Sequence, residues 1–272
     1  MRDYTDKVVV VTGAGSGIGR ALALEMARRG AQLALADIDH DALQATTTSC
    51  TDLGARALCW TVDVAQRDAV YDFAAQVVDR FQQIDVVVNN AGVAVHGRIA
   101  ETTDADFEWI MDINFWGMVH GSRAFLPHLV ASGDGQLANV SSVFGLIAVA
   151  KDGAYNASKF AIRGFTEALR QEMRIDRLPV AVSSIHPGGI KTEIARKARL
   201  GKTEDAARVS TLFDRSALTS PDAAASQIVR GLERDRARIL VGPDAVLIAA
   251  MPRLFGAHYG RLVELGVRIL KV

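Results

Sequence analysis

Charge of neither sign is in excess in this chain: 31 Lys and Arg stand against 31 Asp and Glu, a formal net charge of zero. That balance argues against nucleic-acid binding as the main task. Cysteine is scarce. Cys50 and Cys59 have no metal-binding spacing, and two packed thiols suit a reducing compartment. The six histidines show no ligand spacing either, so no metal site is expected. No uninterrupted apolar run approaches the length of a bilayer span. The opening residues, Met1-Arg-Asp-Tyr-Thr-Asp6, are polar and do not read as a signal peptide, so a cytoplasmic location is expected. Internal repeats, low-complexity tracts and interdomain linkers are lacking as well. A length of 272 residues then points to one sizeable α/β unit with a large core.

What is present is alternation of strand and helix patterns. Val8-Val-Val-Val11 is a β-branched run that reads as a buried strand. It leads into a glycine-rich turn, Gly13-Ala-Gly-Ser16-Gly17-Ile18-Gly19, and a helical pattern from Arg20 closed by Gly30. Further strands are expected at 32–37, 55–62, 84–88, 136–140, 180–185 and 238–241. Helices are expected over about 39–52, 67–81, 104–130 (containing Asn114), from Tyr155 to about 174, and over 222–234. Such alternation predicts a Rossmann-type, doubly wound parallel sheet of about seven strands with helices on both faces. The expected division is a catalytic body over 1–243, with a substrate loop at 193–220, and an apolar tail at 244–272 belonging to the same domain.

A strand, glycine turn and helix in succession suit a dinucleotide. Glycines allow close approach of the backbone to a pyrophosphate, and the helix N-terminus presents unpaired N–H groups. The spacing is T-G-x-x-x-G-x-G through Thr12, Gly13, Gly17 and Gly19, not the usual G-x-G-x-x-G. Asp37 ends the second strand, where a carboxylate meets the adenosine ribose hydroxyls of NAD and repels the 2′-phosphate of NADP. NAD is therefore the expected cofactor, ahead of NADP. Asp37 also suits a helix N-cap, a task Asp39 can perform as well.

Tyr155 and Lys159 share one helix face. A cation held near the phenol favours the phenolate, so Lys159 is expected to lower the proton affinity of Tyr155. A tyrosine so tuned exchanges a proton with an alcohol or ketone. Asp63, the Asn89-Asn90-Ala91-Gly92 run, Ser142 and the His186-Pro187-Gly188 turn each follow an expected strand, the end at which such sheets bind ligands.

Together these motifs resemble the short-chain dehydrogenase/reductase family over nearly the whole chain, from Val8 to about Val241. The resemblance implies NAD(P)(H)-dependent oxidation of alcohols or reduction of ketones, and a homodimer or homotetramer. It makes Tyr155 the general acid/base, and Lys159 its tuning partner and a ligand of the nicotinamide ribose. It makes Ser142 the group orienting the substrate oxygen. Asn114 resembles the residue whose helix-breaking geometry holds a water beside the lysine. Asp63 and Val64 are implied to bracket adenine, and Asn90, Ala91 and Gly92 to line the ribose and pyrophosphate side. Pro187, Gly188, Ile190 and Thr192 are implied around the nicotinamide, and the turn residues Gly13, Ser16, Gly17, Ile18 and Gly19 are expected at the pyrophosphate.

The substrate pocket is expected from Val95, Val143, Phe144, Val149 and Gly189, which are apolar and include no arginine clamp. A small, hydrophobic secondary alcohol or ketone fits that lining. His186 is placed to touch cofactor or substrate, but the reading as a packed polar residue is favoured. The tail carries Val246, Leu254, Phe255, Tyr259, Leu262 and Val263, with Arg253, Arg261, Arg268 and Lys271 beside them. It must be covered by the pocket, a second subunit or a membrane surface, and protein packing is favoured over membrane. Two other readings have a place: an NAD-binding regulator without turnover, and a membrane-peripheral protein acting through the tail. A sugar-nucleotide epimerase would need a larger substrate domain than this chain provides.

Overall fold

The computed structural model describes residues 2–270. Met1, Lys271 and Val272 lie outside the described residues, as do the side chains of residues 267–270, Arg268 among them. The chain runs β1 (Val8–Thr12), α1 (Gly17–Ala27), β2 (Gln32–Asp37), α2 (His40–Asp52), β3 (Ala57–Thr61), α3 (Arg67–Phe81) and β4 (Val86–Asn89). Then come β5 (Val95–His96), α4 (Asp104–Met111), a π-helical turn (Asp112–Trp116), α5 (Gly117–Ala131) and β6 (Gly135–Val140). A 3-10 turn (Val143–Gly145) precedes α6 (Gly153–Ile175), β7 (Val180–Pro187), β8 (Arg199–Leu200) and α7 (Ala206–Ser216). The last elements are α8 (Pro221–Leu232), β9 (Arg238–Val241), α9 (Pro243–Phe255) and α10 (Tyr259–Leu270).

Among the described residues, seven parallel strands form one sheet in the order β3-β2-β1-β4-β6-β7-β9. Strand β1 shows why. Its residues are buried on both faces. Val9 and Val11 pack toward α1, α2 and α8, while Val8 and Val10 pack toward α3, α5 and α6. Period-two side chains on a strand covered twice leave no polar face. The sheet order reverses at β1, which pairs with β2 on one side and β4 on the other. A crevice opens there, above the strand C-termini.

Local chemistry sets the helix starts. Asp39 caps α2 by accepting from the Ala42 N–H, so the cap that Asp37 was eligible for falls to Asp39. Ser220 caps α8 and Pro221 follows as its first residue. Two features differ from the sequence expectation. The long helix at 104–130 is divided by the π-helical turn around Asn114. The segment 193–220 is not one loose loop: β8 pairs with β5 in a second small sheet, and α7 occupies Ala206–Ser216. The tail forms helices, separated at Gly256, whose φ is 53°. No helix among the described residues is long and apolar enough to cross a membrane.

Candidate active site

The crevice is built first from backbone. Ser16 starts α1 without a side-chain cap, which leaves the first-turn N–H groups available to an anion. Gly17 has φ 52°, and a Cβ there would lie 3.1 Å from Cγ2 of Thr192. Thr192 therefore stands across the turn from Gly17. Thr12 braces the neighbouring loop: its hydroxyl accepts from the N–H groups of Asn90 (3.0 Å) and Ala91 (3.1 Å). The Asn90 amide donates to the carbonyls of Thr12 (2.9 Å) and Gly13 (3.2 Å). Asn90 thus ties the two loops together through its side chain.

Asp37 is half-buried at the end of β2. One carboxylate oxygen accepts from the Gly15 N–H at 2.8 Å, the other from the Asp39 N–H at 3.0 Å. Asp63 accepts from the Ala65 N–H at 3.0 Å, beside the buried Val64. Gly13, Ile18, Gly19, Ala91 and Gly92 lie on the same two loops and the start of α1. The described arrangement suits a dinucleotide: an uncapped helix start, a turn without side chains and an acidic residue at the next strand end.

The polar side chains expected to handle protons come together beyond Gly92. Asn114, 1% exposed, accepts from the Val93 N–H (2.8 Å) and donates to the Val93 carbonyl (3.0 Å) and the Ser158 hydroxyl (3.1 Å). The helix is widened here rather than broken, which corrects the geometry implied by the family pattern. Such π turns carry the strain of one residue too many and occur at functional sites. Lys159 is buried and donates to the Val140 carbonyl at 3.1 Å. Its Nζ lies 5.4 Å from the Tyr155 ring centre. Tyr155 stands near Ser142, which acts to lower the phenol's proton affinity, and meets the edge of Phe144 at 6.1 Å.

The direction of the Tyr155 shift corrects the sequence reading. Burial pushes the phenol up to about 12, against the Ser142 hydrogen bond, and the Asp152 charge adds to the rise. Burial also lowers Lys159 to about 8. A cation four residues away does not offset loss of water around the phenol.

A buried network holds the helix that carries these groups. Asn89 donates to Asn139 (2.8 Å) and Ser122 (3.1 Å), and Asn139 donates to Thr166 on α6 (3.0 Å). Ser142 is held from β7. His186 is fully buried, with Nδ1 2.8 Å from the Ser142 carbonyl and Nε2 2.9 Å from the Ser184 hydroxyl. Burial lowers His186 to about 4, so the ring is neutral, donating from Nδ1 and accepting at Nε2.

The short-chain dehydrogenase family model matches residues 7–203. The chain belongs to the short-chain dehydrogenase family. It is 50% identical over 268 residues to the Mycobacterium tuberculosis oxidoreductase SadH, covering 98% of this chain and 97% of that one. A Burkholderia phymatum short-chain dehydrogenase/reductase in complex with NAD is similar, with a TM-score of 0.87, 28% identity, and 93% and 95% of the two chains covered. A Mycobacterium paratuberculosis short chain dehydrogenase bound to NAD has a TM-score of 0.76 and 25% identity over 87% and 96%. The protein is therefore an oxidoreductase of this family with a nicotinamide-binding fold.

The remaining predicted residues of this short-chain dehydrogenase divide in two. Val95 packs with Ile110, Ala154 and Tyr155, and Val143 is buried beside the half-buried Phe144. Val149 is half-buried, and its carbonyl accepts from Asn156. By contrast, the Ile190 side chain packs into the main core. Pro187 ends β7, and Gly188 and Gly189 follow against Asp244 of α9. A Cβ at Gly188 would collide with the Asp244 carboxylate, which accepts from the Gly189 N–H at 2.7 Å. Asp244, Thr12 and Tyr259, whose hydroxyl accepts from the Ala148 N–H at 3.2 Å, were not among the predicted site residues. Thr12 had a signal in its place before Gly13, and Tyr259 in the apolar tail expected to be covered; Asp244 had none.

Proposed function

We propose that the protein is an NAD(H)-dependent oxidoreductase that interconverts a hydrophobic secondary alcohol and its ketone. The single observation that carries this reading is the gathering of Ser142, Tyr155, Lys159 and Asn114 at the strand C-termini, beside a glycine turn with Asp37 behind it. The cofactor, when bound, supplies or accepts the hydride. Tyr155 holds the proton at its phenol oxygen, giving it to the oxygen of a ketone or taking it from an alcohol. Ser142 orients the substrate oxygen and stabilises charge that develops on it. Lys159, cationic below about 8, would hold ribose hydroxyls and connect the phenol to the Asn114 region. Asp37 would accept from the ribose diol, which supports NAD over NADP. Val95, Phe144 and Val149 supply apolar lining and no carboxylate clamp, which favours a neutral substrate. A cytoplasmic location and a homodimer or homotetramer belong to the same reading; the exposed Phe107, Trp116 and Phe160 on α4, the π turn and α6 support the subunit association alone.

The test is a panel of secondary alcohols and ketones with NAD(H) and NADP(H), run on wild type and Tyr155→Phe. Loss of the phenol should lower turnover by roughly 100- to 10,000-fold, with NADH binding close to wild type. Retention of most activity in Tyr155→Phe would place the proton elsewhere. Tight NADH binding without turnover on any substrate would favour a regulatory protein.

A further inference from the structure

Outside the proton-handling group, a charged cluster joins three segments that are distant in sequence. His96 Nδ1 lies 3.0 Å from Asp152 Oδ1, and its Nε2 lies 3.6 Å from Glu204 Oε2. Lys151 Nζ pairs with Glu204 at 3.0 Å. These side chains are largely withdrawn from water, Glu204 being 9% and His96 14% exposed. Asp152 is the residue before α6, the helix of Tyr155. Glu204 follows β8, at the entrance to α7.

We propose that His96 is the positioning residue of the substrate segment: protonated between Asp152 and Glu204, it seats residues 199–204 against the turn that opens the Tyr155 helix. This rests on the reading of the site as a substrate-handling one. The backbone defines the joint. Arg199 N donates to the Ala94 carbonyl at 3.1 Å, Gly201 N to the His96 carbonyl at 2.8 Å, and Gly97 N to the Lys151 carbonyl at 2.7 Å. The joint is only a two-residue strand pair, so side chains must supply much of its order.

The imidazole is the group that decides the charge balance. A neutral ring has one N–H, so it satisfies one carboxylate and turns a lone pair toward the other. An imidazolium donates to both. With it, Lys151 and His96 offset Asp152 and Glu204; without it, one negative charge is uncompensated in a poorly solvated place. Other charged groups at the joint are already engaged: Arg199 pairs with Asp106 at 3.0 Å and lies 3.8 Å over the Trp109 ring. Glu101 accepts from the Thr203 hydroxyl at 2.8 Å. Lys151 adopts φ 69°, a left-handed conformation that a non-glycine residue holds only when its surroundings require it. The Asp152 hydrogen bond raises the His96 pKa, which extends the protonated range upward. The sign follows: the clamp is complete at low pH and is lost as pH rises through the folded value.

The deciding measurement is amide hydrogen exchange of peptides covering 193–204 in full-length protein, corrected for intrinsic rates, between about pH 6 and about pH 9, a span that brackets histidine titration. Wild type should lose protection several-fold across that span. His96→Gln should show the loosened level throughout, and should raise KM for the best ketone of the panel far more than it lowers kcat. His96→Lys, cationic across the span, should keep most of the protection at the upper end. Glu204→Gln gives an independent arm if a His96 variant does not fold. Protection independent of pH in wild type, or a His96→Gln protein with wild-type exchange and KM, overturns the proposal. The exchange arm needs no turnover. Its failure is therefore distinct from failure of the oxidoreductase reading, which the substrate panel tests.

Discussion

His186 Nδ1 stands 2.8 Å from the carbonyl oxygen of Ser142, a bond from the end of β7 to the turn that follows β6. The ring is fully buried and meets Ser184 on its other side. The serine next to the Tyr155 phenol is thus fixed by a residue far along the chain. His186→Leu should leave both partners unpaired, at a cost of about 1–3 kcal/mol for each buried group. Turnover should fall by roughly 10- to 100-fold as Ser142 shifts. Denaturant melts and steady-state kinetics check both. Normal stability with normal kcat would show that the bond positions nothing.

The same histidine predicts an acid sensitivity. Its folded pKa, about 4, lies below the ordinary histidine value. The unfolded chain then binds a proton that the folded protein does not. Stability is full above about pH 6.5 and declines as pH falls toward 4, where the folded ring begins to titrate. Thermal melts from neutral to acid should show that slope, and His186→Leu should flatten part of it. Equal slopes in the two proteins would assign the acid loss to other groups.

Cofactor preference should respond to Asp37. Asp37→Ser removes the carboxylate that would face the ribose and also its hydrogen bond to the Gly15 N–H. The ratio of kcat/KM with NAD to that with NADP should fall by roughly 10- to 100-fold, the size of a charged hydrogen bond gained or lost. Kinetics with both cofactors give the answer directly. A wild-type enzyme that prefers NADP would remove the basis for this assignment.

Oxidation and reduction should have different pH profiles. With the phenol raised to about 12 by burial, Tyr155 is protonated at neutral pH and its base form is scarce, so on the proposed reading it donates the proton. Alcohol oxidation should therefore rise with pH, by about tenfold per unit while the base is the minor form. The rise should flatten near 8, where Lys159 begins to lose its charge. Ketone reduction has its donor present throughout and should fall only as Lys159 titrates. Identical profiles in the two directions would mean that Tyr155 is not the titrating group.

Asp244 links α9 to the loop after β7. Its carboxylate accepts from the Gly189 N–H at 2.7 Å and stands in the first turn of its helix, where negative charge is favoured. Asp244→Ala should lower stability by about 1–2 kcal/mol and weaken NADH binding several-fold. Isothermal titration and thermal melts would show it, and unchanged values in both would exclude a supporting role for α9.

Much of this protein is determined locally. The valine run of β1, the glycine turn and the helix after it follow from periodicity and backbone freedom, which neighbours in sequence decide. So does the shared face of Tyr155 and Lys159, since four residues make about one helical turn. Tertiary structure decided the rest. The meetings of His186 with Ser142, Asp244 with Gly189, and His96 with Asp152 and Glu204 join residues with no common period. The pairing of β5 with β8 involves two residues from each strand, too few to leave a pattern. The π turn at Asn114 reflects side-chain bonds to Val93 and Ser158 that arise only once the loop and α6 are in place. The rise of the Tyr155 pKa has the same origin. Spacing alone says that a cation is near, but burial depends on every element packed around the phenol, and burial is the larger effect.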